Sequence, residues 1–431
     1  MLRRAIRVGL AGMGLLVAVA APLGGWWVAS ESPDVWPVRN TLQYALVTRW
    51  WGLVGAPRGA TGGLEHSGTV LDAEGVPVAG ARVLFTRWDG RAYAARTGSD
   101  GSYRLASLPR EELTAVAGAP GVGEAVRRVS VGGRAPRIID FRLAPPVGLA
   151  SGRSTLFEPE VTAQGPVAVS SAAPVPGRAL RWDLSFPARQ SVKRGRILLY
   201  LPPNSNAQTA RTPLLMTAYP GPAEEWEGAS IPLAEAGYAV VAYAPPYGFT
   251  PEAAVTELRL LLEAARQGRL PGVDGTRVAV LAGSYSGLHA LRVLQEEHGS
   301  PALKAAVLMG APSDLFDMRR RLEDGSFVPP FGLDQALVAL GFPDREALRY
   351  WRYSGAYHVR RGMPPTLLVH SRQDDVVPYQ QSELLARTLG EEGVMHELHV
   401  LDGGSHYLLS AEREARGIYE LTLRFLGEHL R

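Results

Sequence analysis

The sequence predicts a doubly wound α/β fold over residues 179–431, with a mostly parallel sheet and helices on both faces. A small β-sandwich over 65–145 and an N-terminal apolar helix precede it. Three observations predict this. Apolar runs recur at Leu214 to Ala218, Ala239 to Ala244, Arg277 to Leu281, Ala305 to Met309, Thr366 to His370 and Glu397 to Leu401. Helical periodicity appears at Pro251 to Arg266, Leu288 to Glu297, Tyr379 to Leu389 and Ala411 to Leu430. Parallel strands buried on both faces read as unbroken apolar runs and need helical crossovers. Ahead of this alternation, Leu180 to Phe186 and Arg194 to Leu201 read as an antiparallel opening pair.

The bulk numbers narrow the function. A chain of 431 residues exceeds one ordinary core and implies two or three domains. Its net charge of +3 gives no argument for nucleic acid. The absence of cysteine excludes disulfides, cysteine-ligated metals and a thiol nucleophile. No H-E-x-x-H or other tight metal-ligand cluster occurs, and no cofactor is implied.

At the N-terminus, Arg3, Arg4 and Arg7 precede a charge-free run from Val8 to Ala29, long enough to span a bilayer. Ala18-Val19-Ala20 also fits a signal-peptide cleavage site. Residues 1–30 are therefore expected to be a signal anchor or a signal peptide. The basic flank places the rest outside the cytoplasm, membrane-anchored or secreted. Residues 31–64 read as a linker. Within them Val38 to Val54, with Trp50 and Trp51, forms a short helix that either lies on a membrane or packs on a neighbouring domain.

Over 65–145, short alternating strands meet turn signals about every ten residues, the spacing of a small sandwich. Asp100-Gly101 reads as a hairpin turn. The pieces Gly75-Val76-Pro77-Val78-Ala79-Gly80-Ala81 and Asp100-Gly101-Ser102-Tyr103-Arg104-Leu105 resemble the carboxypeptidase regulatory-like (transthyretin-like) domain. Nothing in it looks catalytic; its role is spacing and packing, or binding of glycan or peptide. Residues 146–178, rich in Pro, Ala, Ser and Gly, read as a second linker.

The chemistry sits in the last domain. The strand at Arg277 to Leu281 runs into Ala282-Gly283-Ser284-Tyr285-Ser286-Gly287 and then a helix, the setting of a nucleophile elbow. The residues two before and two after the nucleophile must be small; centred on Ser284 they are Ala282 and Ser286. This setting points to an α/β-hydrolase fold, in which acid and base follow the serine in that order. Asp374 lies in the loop after the strand ending at His370, with Asp375 as the alternative acid. Asp402-Gly403-Gly404-Ser405-His406 follows the next strand, and His406 is the base. His289 and His370 read as structural.

At these residues the chain resembles the prolyl oligopeptidase family of serine peptidases. Ala282 to Gly287 is similar to its G-G-S-Y-G-G. His370 to Pro378 is similar to its H-G-x-x-D-x-x-V-P, and Gly404-Ser405-His406 to its G-x-H. Tyr219-Pro220-Gly221-Pro222 looks like the Y-A-G-P of one branch. The departures are Ala282, Ser286 and Ser371, each where the family has glycine. The resemblance implies an oxyanion hole made by the backbone N–H of Tyr285 together with the Tyr219 phenol or the Gly221 amide. Family peptidases commonly carry a β-propeller that screens substrate size, and none precedes this hydrolase.

The stretch Asp314 to Tyr357 is expected to cap the site. Its Phe316, Phe327, Phe331, Trp351 and Tyr353 either line an apolar pocket or form core. The reading is a serine hydrolase with the triad Ser284, His406 and Asp374, acting on a peptide or an ester. Peptidase comes first and esterase second. A non-catalytic surface binding protein that kept the fold is the remaining alternative.

Overall fold

In the computed structural model the described residues are 35–57, 63–132, 138–145, 161–172, 174–185, 196–244, 251–327, 329, 333–408 and 412–430. The expected anchor or signal segment and residues 146–160 of the second linker lie outside them.

Helix α1 (Trp36–Val54) leads, with a proline in its first turn, where the missing N–H costs nothing. The sandwich follows: β1 (Leu64–Leu71), β2 (Arg82–Thr86), β3 (Ala92–Arg96), β4 (Ser102–Leu108), β5 (Glu112–Ala119), β6 (Gly123–Ser130) and β7 (Phe141–Arg142). One sheet runs β4-β1-β7 and the other β3-β2-β5-β6. Val83, Phe85, Tyr103, Leu113, Ala115 and Phe141 fill the space between them. One expectation is corrected. Asp100-Gly101 does turn the chain, with Gly101 at φ +72 and Asp100 Oδ1 accepting from Ser102 N. It does not close a hairpin, because β3 pairs with β2 and β4 with β1. The turn carries the chain between sheets.

The large sheet is built from β8 (Thr162–Ser171), β9 (Gly177–Ser185), β10 (Ile197–Leu201), β11 (Thr212–Ala218), β12 (Ala239–Tyr243), β13 (Val273–Gly283), β14 (Leu303–Met309), β15 (Thr366–Ser371) and β16 (His396–Leu401). Among the described residues its order is β16-β15-β14-β13-β11-β12-β10-β9-β8. From β12 to β16 all pairs are parallel, whereas β12–β10, β10–β9 and β9–β8 are antiparallel. The opening pair is β9 and β10, as expected. A second correction concerns residues 146–178, expected to be a linker: β8 lies inside that span, as the sheet's edge. An edge strand has one neighbour, and β8 leaves most of its side chains in solvent, so it lacks the apolar signature of its companions.

Helices α2 (Glu227–Glu235), α3 (Pro251–Arg266), α4 (Ser286–Glu296), α5 (Leu315–Asp324), α6 (Leu333–Leu340), α7 (Ala347–Tyr353), α8 (Gln380–Glu391) and α9 (Glu412–His429) complete the fold. Alternate residues of β13 divide between the two faces, as the pleat requires. Val278, Val280 and Ala282 pack with Leu258, Leu291 and Leu385 of α3, α4 and α8. Ala279 and Leu281 pack with Ile231, Ile418 and Phe425 of α2 and α9. This is the α/β-hydrolase architecture.

Helices α5 to α7 form the cap expected between β14 and β15. Most of its aromatics are core: Phe316, Tyr350, Trp351 and Tyr353 are buried against Leu288, Val376 and Val377, whereas Phe327 is half-buried and outside that cluster. Phe331 lies outside the described residues. The sandwich presses on the cap from outside. A Cβ on Gly118 of β5 would fall 2.5 Å from Cζ2 of Trp351. Thr114 Oγ1 donates to Asp344 O at 2.6 Å, and Arg352 pairs with Glu124. Arg96 of β3 also pairs with Glu392 beyond α8. The cap is held on both sides.

Candidate active site

After β11 the chain crosses to β12 on one side of it and then to β13 on the other, pairing Ala218 with Tyr243 and with Ala282. Open α/β sheets bind ligands beyond the carboxyl ends of strands at such a switch. The loop Tyr219 to Pro222 and the elbow at Ser284 flank this point.

Ser284 has φ +51, the one positive φ among the described non-glycine residues. A side chain in that region is strained and persists where its surroundings over-determine it. Here Ser284 N donates to Met309 O at 2.8 Å, and Gly287 N donates to Ser284 O at 2.9 Å. The small elbow residues have visible reasons. A Cβ on Gly283 would lie 2.9 Å from Cδ1 of Tyr219, and one on Gly287 would lie 2.3 Å from Cβ of Ala311. Ala282 and Ser286 are fully buried.

The triad is assembled. Ser284 Oγ lies 2.7 Å from His406 Nε2, and His406 Nδ1 lies 2.8 Å from Asp374 Oδ2. Donation by Nδ1–H to the carboxylate leaves Nε2 to accept the serine proton. Asp374 Oδ1 accepts from Val376 N at 2.9 Å and Val377 N at 2.8 Å. Burial alone raises its pKa, but donors from His370, His406 and Val377 N outweigh it and hold the carboxyl at about 2. Asp375, the alternative acid, is exposed and outside this network.

Four neighbours that sequence reasoning did not assign to the site support it. His370, expected to be structural, sets Nε2 3.2 Å from Asp374 Oδ2 and 2.9 Å from Val377 O. Its Nδ1 lies 2.7 Å from Ser382 Oγ. Ser371, a departure from the family pattern, sets its hydroxyl 3.1 Å from Gly403 O and 2.5 Å from Gly404 O, tying down the loop that carries His406. Gly310, at φ +56, lies under the dyad: a Cβ there would be 3.2 Å from Asp374 Oδ2 and 3.4 Å from His406 Cε1. Trp226 stacks on Tyr219 with centroids 4.4 Å apart and donates Nε1–H to Pro220 O at 3.0 Å. The glycine directly after β14 was the one readable signal; the others are through-space partners.

The Tyr219 ring is buried between Gly283 and Trp226, and burial raises its phenol well above the ordinary value, so it stays a donor. Among the described residues its hydroxyl has no hydrogen-bond partner. Behind it lies a small apolar pocket lined by Tyr219, Pro232, Leu281, Met309, Ile418 and Thr422 among others, and by neither Ser284 nor His406. Gly221 has φ +98. His289, also expected to be structural, is buried in α4 with both ring nitrogens unpartnered among the described residues, and burial lowers its pKa to about 3. It is a neutral core residue.

The family comparison agrees with this geometry. Residues 67–144 match the carboxypeptidase regulatory-like domain, and residues 261–431 match the prolyl oligopeptidase family. No curated protein matches the chain. Among solved structures it is similar to a truncated carbohydrate esterase from gut microbiota, at 17% identity over 62% of this chain and 99% of that one, TM-score 0.46. It is also similar to an acetyl ester-xyloside bifunctional hydrolase from Caldicellulosiruptor lactoaceticus, at 20% identity over 56% and 90%, TM-score 0.42. A third is esterase 2 of Thermogutta terrifontis, phosphonylated by sarin, at 18% identity over 54% and 89%, TM-score 0.43. The chain is thus a serine hydrolase in which a carboxypeptidase regulatory-like domain precedes a catalytic domain whose residues 261–431 match the prolyl oligopeptidase family.

Proposed function

We propose that the protein is a serine peptidase that cleaves peptides through an acyl-enzyme. The observation that carries this is the Ser284–His406–Asp374 relay, with Ser284 at positive φ, inside the segment matching that peptidase family. Ser284 Oγ attacks the scissile carbonyl carbon while His406 Nε2 takes its proton. Negative charge gathers on the carbonyl oxygen, facing Tyr285 N–H and the Tyr219 phenol or the Gly221 amide. Pro220 and Pro222 have no N–H to give. His406 then protonates the leaving amine, and the acyl group stays on Ser284. A water attacks next, His406 takes its proton, and Ser284 Oγ leaves with that proton restored.

The same relay opens an ester, because fold and triad do not fix the acyl substrate. Fluorophosphonate labelling that disappears in Ser284→Ala tests the hydrolase, and an unlabelled wild type leaves the non-catalytic binder. A panel of short peptide amides against short-chain esters tests the peptidase; turnover of esters alone overturns it.

We also propose that the catalytic domain lies outside the cytoplasm, on the strength of Arg3, Arg4 and Arg7 before the uncharged Val8 to Ala29 run. Protease added to intact cells checks this: a domain cleaved only after permeabilisation overturns it.

A further inference from the structure

Helix α1 has two faces with different surroundings. The inner face is docked on the cap. Trp36 is buried, Asn40 Nδ2 donates to Leu340 O at 3.1 Å, and Arg39 pairs with Glu346 at 3.3 Å. The Tyr44 ring covers the buried guanidinium of Arg319 at 4.7 Å, and Trp51 meets Trp88 of the sandwich at 4.3 Å. These contacts fix the helix in place and settle which side faces out.

The outer face carries Val38, Leu42, Leu46, Trp50 and Leu53, spaced as one helical stripe. Leu42 is 54% exposed, Leu46 70%, Trp50 60% and Leu53 79%. Large apolar side chains scattered singly over a surface need no explanation, but a contiguous row does. No described helix is long and apolar enough to cross a membrane, so α1 is not itself a span. At about 1.5 Å per residue it is a rod of roughly 28 Å. It contains Arg39 and Arg49 and no acidic residue, and Arg49 is exposed within the outer stripe.

We propose that this stripe docks flat on a lipid bilayer bearing anionic headgroups. Leu42, Leu46 and Leu53 enter the boundary of the acyl region, Trp50 sits at headgroup level, and Arg49 meets phosphate. Charge favours lipid over a protein partner: the outer stripe offers one cation, Arg49, and no anion to an apolar surface rimmed by negative charge. The sequence favours it too. Only Ser30 to Val35 separates α1 from the uncharged Val8 to Ala29 run, which is long enough for the same bilayer. The proposal does not depend on the substrate of the triad.

The chain has no cysteine, so one substitution gives a unique labelling site. The full chain carrying Leu46→Cys, labelled with an environment-sensitive nitrobenzoxadiazole group, is reconstituted with phosphatidylcholine–phosphatidylglycerol vesicles. Val76→Cys, on an exposed turn of the sandwich, is the control. At position 46 the emission shifts to the blue and nitroxide-labelled lipid quenches it several-fold more than at 76. Adding Leu42→Glu and Leu53→Glu returns the label at 46 to the control level with thermal unfolding unchanged, since both side chains are exposed. Equal quenching at the two positions overturns the proposal. So does a blue shift at 46 without lipid quenching, which assigns the stripe to a second copy or another protein. Equal quenching at 46 in pure phosphatidylcholine overturns the headgroup-charge part.

Discussion

Nε2 of His370 lies 3.2 Å from Oδ2 of Asp374, the same oxygen that receives His406 at 2.8 Å. Two imidazoles thus share one carboxylate, one as reactant and one as brace. Asp374 ionises at about 2, against 3.8 for an ordinary aspartate. A depressed carboxyl contributes stability above its unfolded value and loses it as pH falls through the folded one, here about 2 kcal/mol between pH 4 and 2. His370→Phe should raise that folded value, shift acid unfolding to higher pH and lower kcat about tenfold at neutral pH. His370→Gln, which keeps a donor, should recover part of both. An unchanged acid-unfolding midpoint in His370→Phe would show that the brace carries no charge effect.

Gly310→Ala places a methyl 3.2 Å from Asp374 Oδ2 at a φ of +56. The backbone penalty is about 1–2 kcal/mol, read as a lowered thermal midpoint. The larger effect should be on kcat, by about 10²-fold, because misplacing catalytic groups by an ångström costs that much. A variant with lowered stability and full kcat would separate the glycine from the dyad.

Ser284→Ala should lower kcat by on the order of 10⁶. Asp374→Ala should be severe, while exposed Asp375→Ala should retain most activity. Steady-state kinetics on the two aspartate variants decide between them, and a reversed order would reassign the acid.

Tyr219→Phe keeps the ring stacked on Trp226 and deletes one hydroxyl. If the phenol meets the oxyanion, kcat should fall by about 10²–10³ with little change in KM. Retention of more than about a third of wild-type kcat, well short of that loss, assigns the donor to the Gly221 amide.

Asp314 caps α5, accepting from Phe316 N at 2.9 Å and from the Tyr357 hydroxyl at 2.6 Å. Burial raises its pKa to about 6, and the Asp317 charge adds to that against the hydrogen bonds. A raised carboxyl binds its proton more tightly when folded, so stability should rise as pH falls from 7 through 6 toward 4, by up to about 3 kcal/mol. Asp314→Asn should flatten that rise, measured as thermal midpoints across the range. A rise of equal size in the variant would place its source elsewhere.

The central parallel strands were legible because burial on both faces leaves few polar positions, and Val278 to Leu281 shows this directly. The elbow was legible because its strain admits only small residues around Ser284. Strand β8 was not, since an edge exposed to solvent carries no such constraint. Helix α2 was missed because Pro232, Gly228 and Ser230 lower its local propensity, and burial against the sheet overrides that. His370, Ser371 and Trp226 act on groups that folding alone brings near them. Ser371 reaches Gly404 across 33 positions, and no local pattern records such a pair.

The Trp351 indole laid over Gly118 has one more implication. A gate that swings aside must surrender its outer contacts at every cycle, and here a separate domain supplies those contacts: Gly118 packed against the ring, the Thr114 hydroxyl donating to Asp344 O, and Glu124 paired with Arg352. The sandwich is a buttress and the cap a wall. The cap's position is then set once, when the chain folds, and a lesion in the buttress should loosen the cap while the relay at Ser284 stays intact.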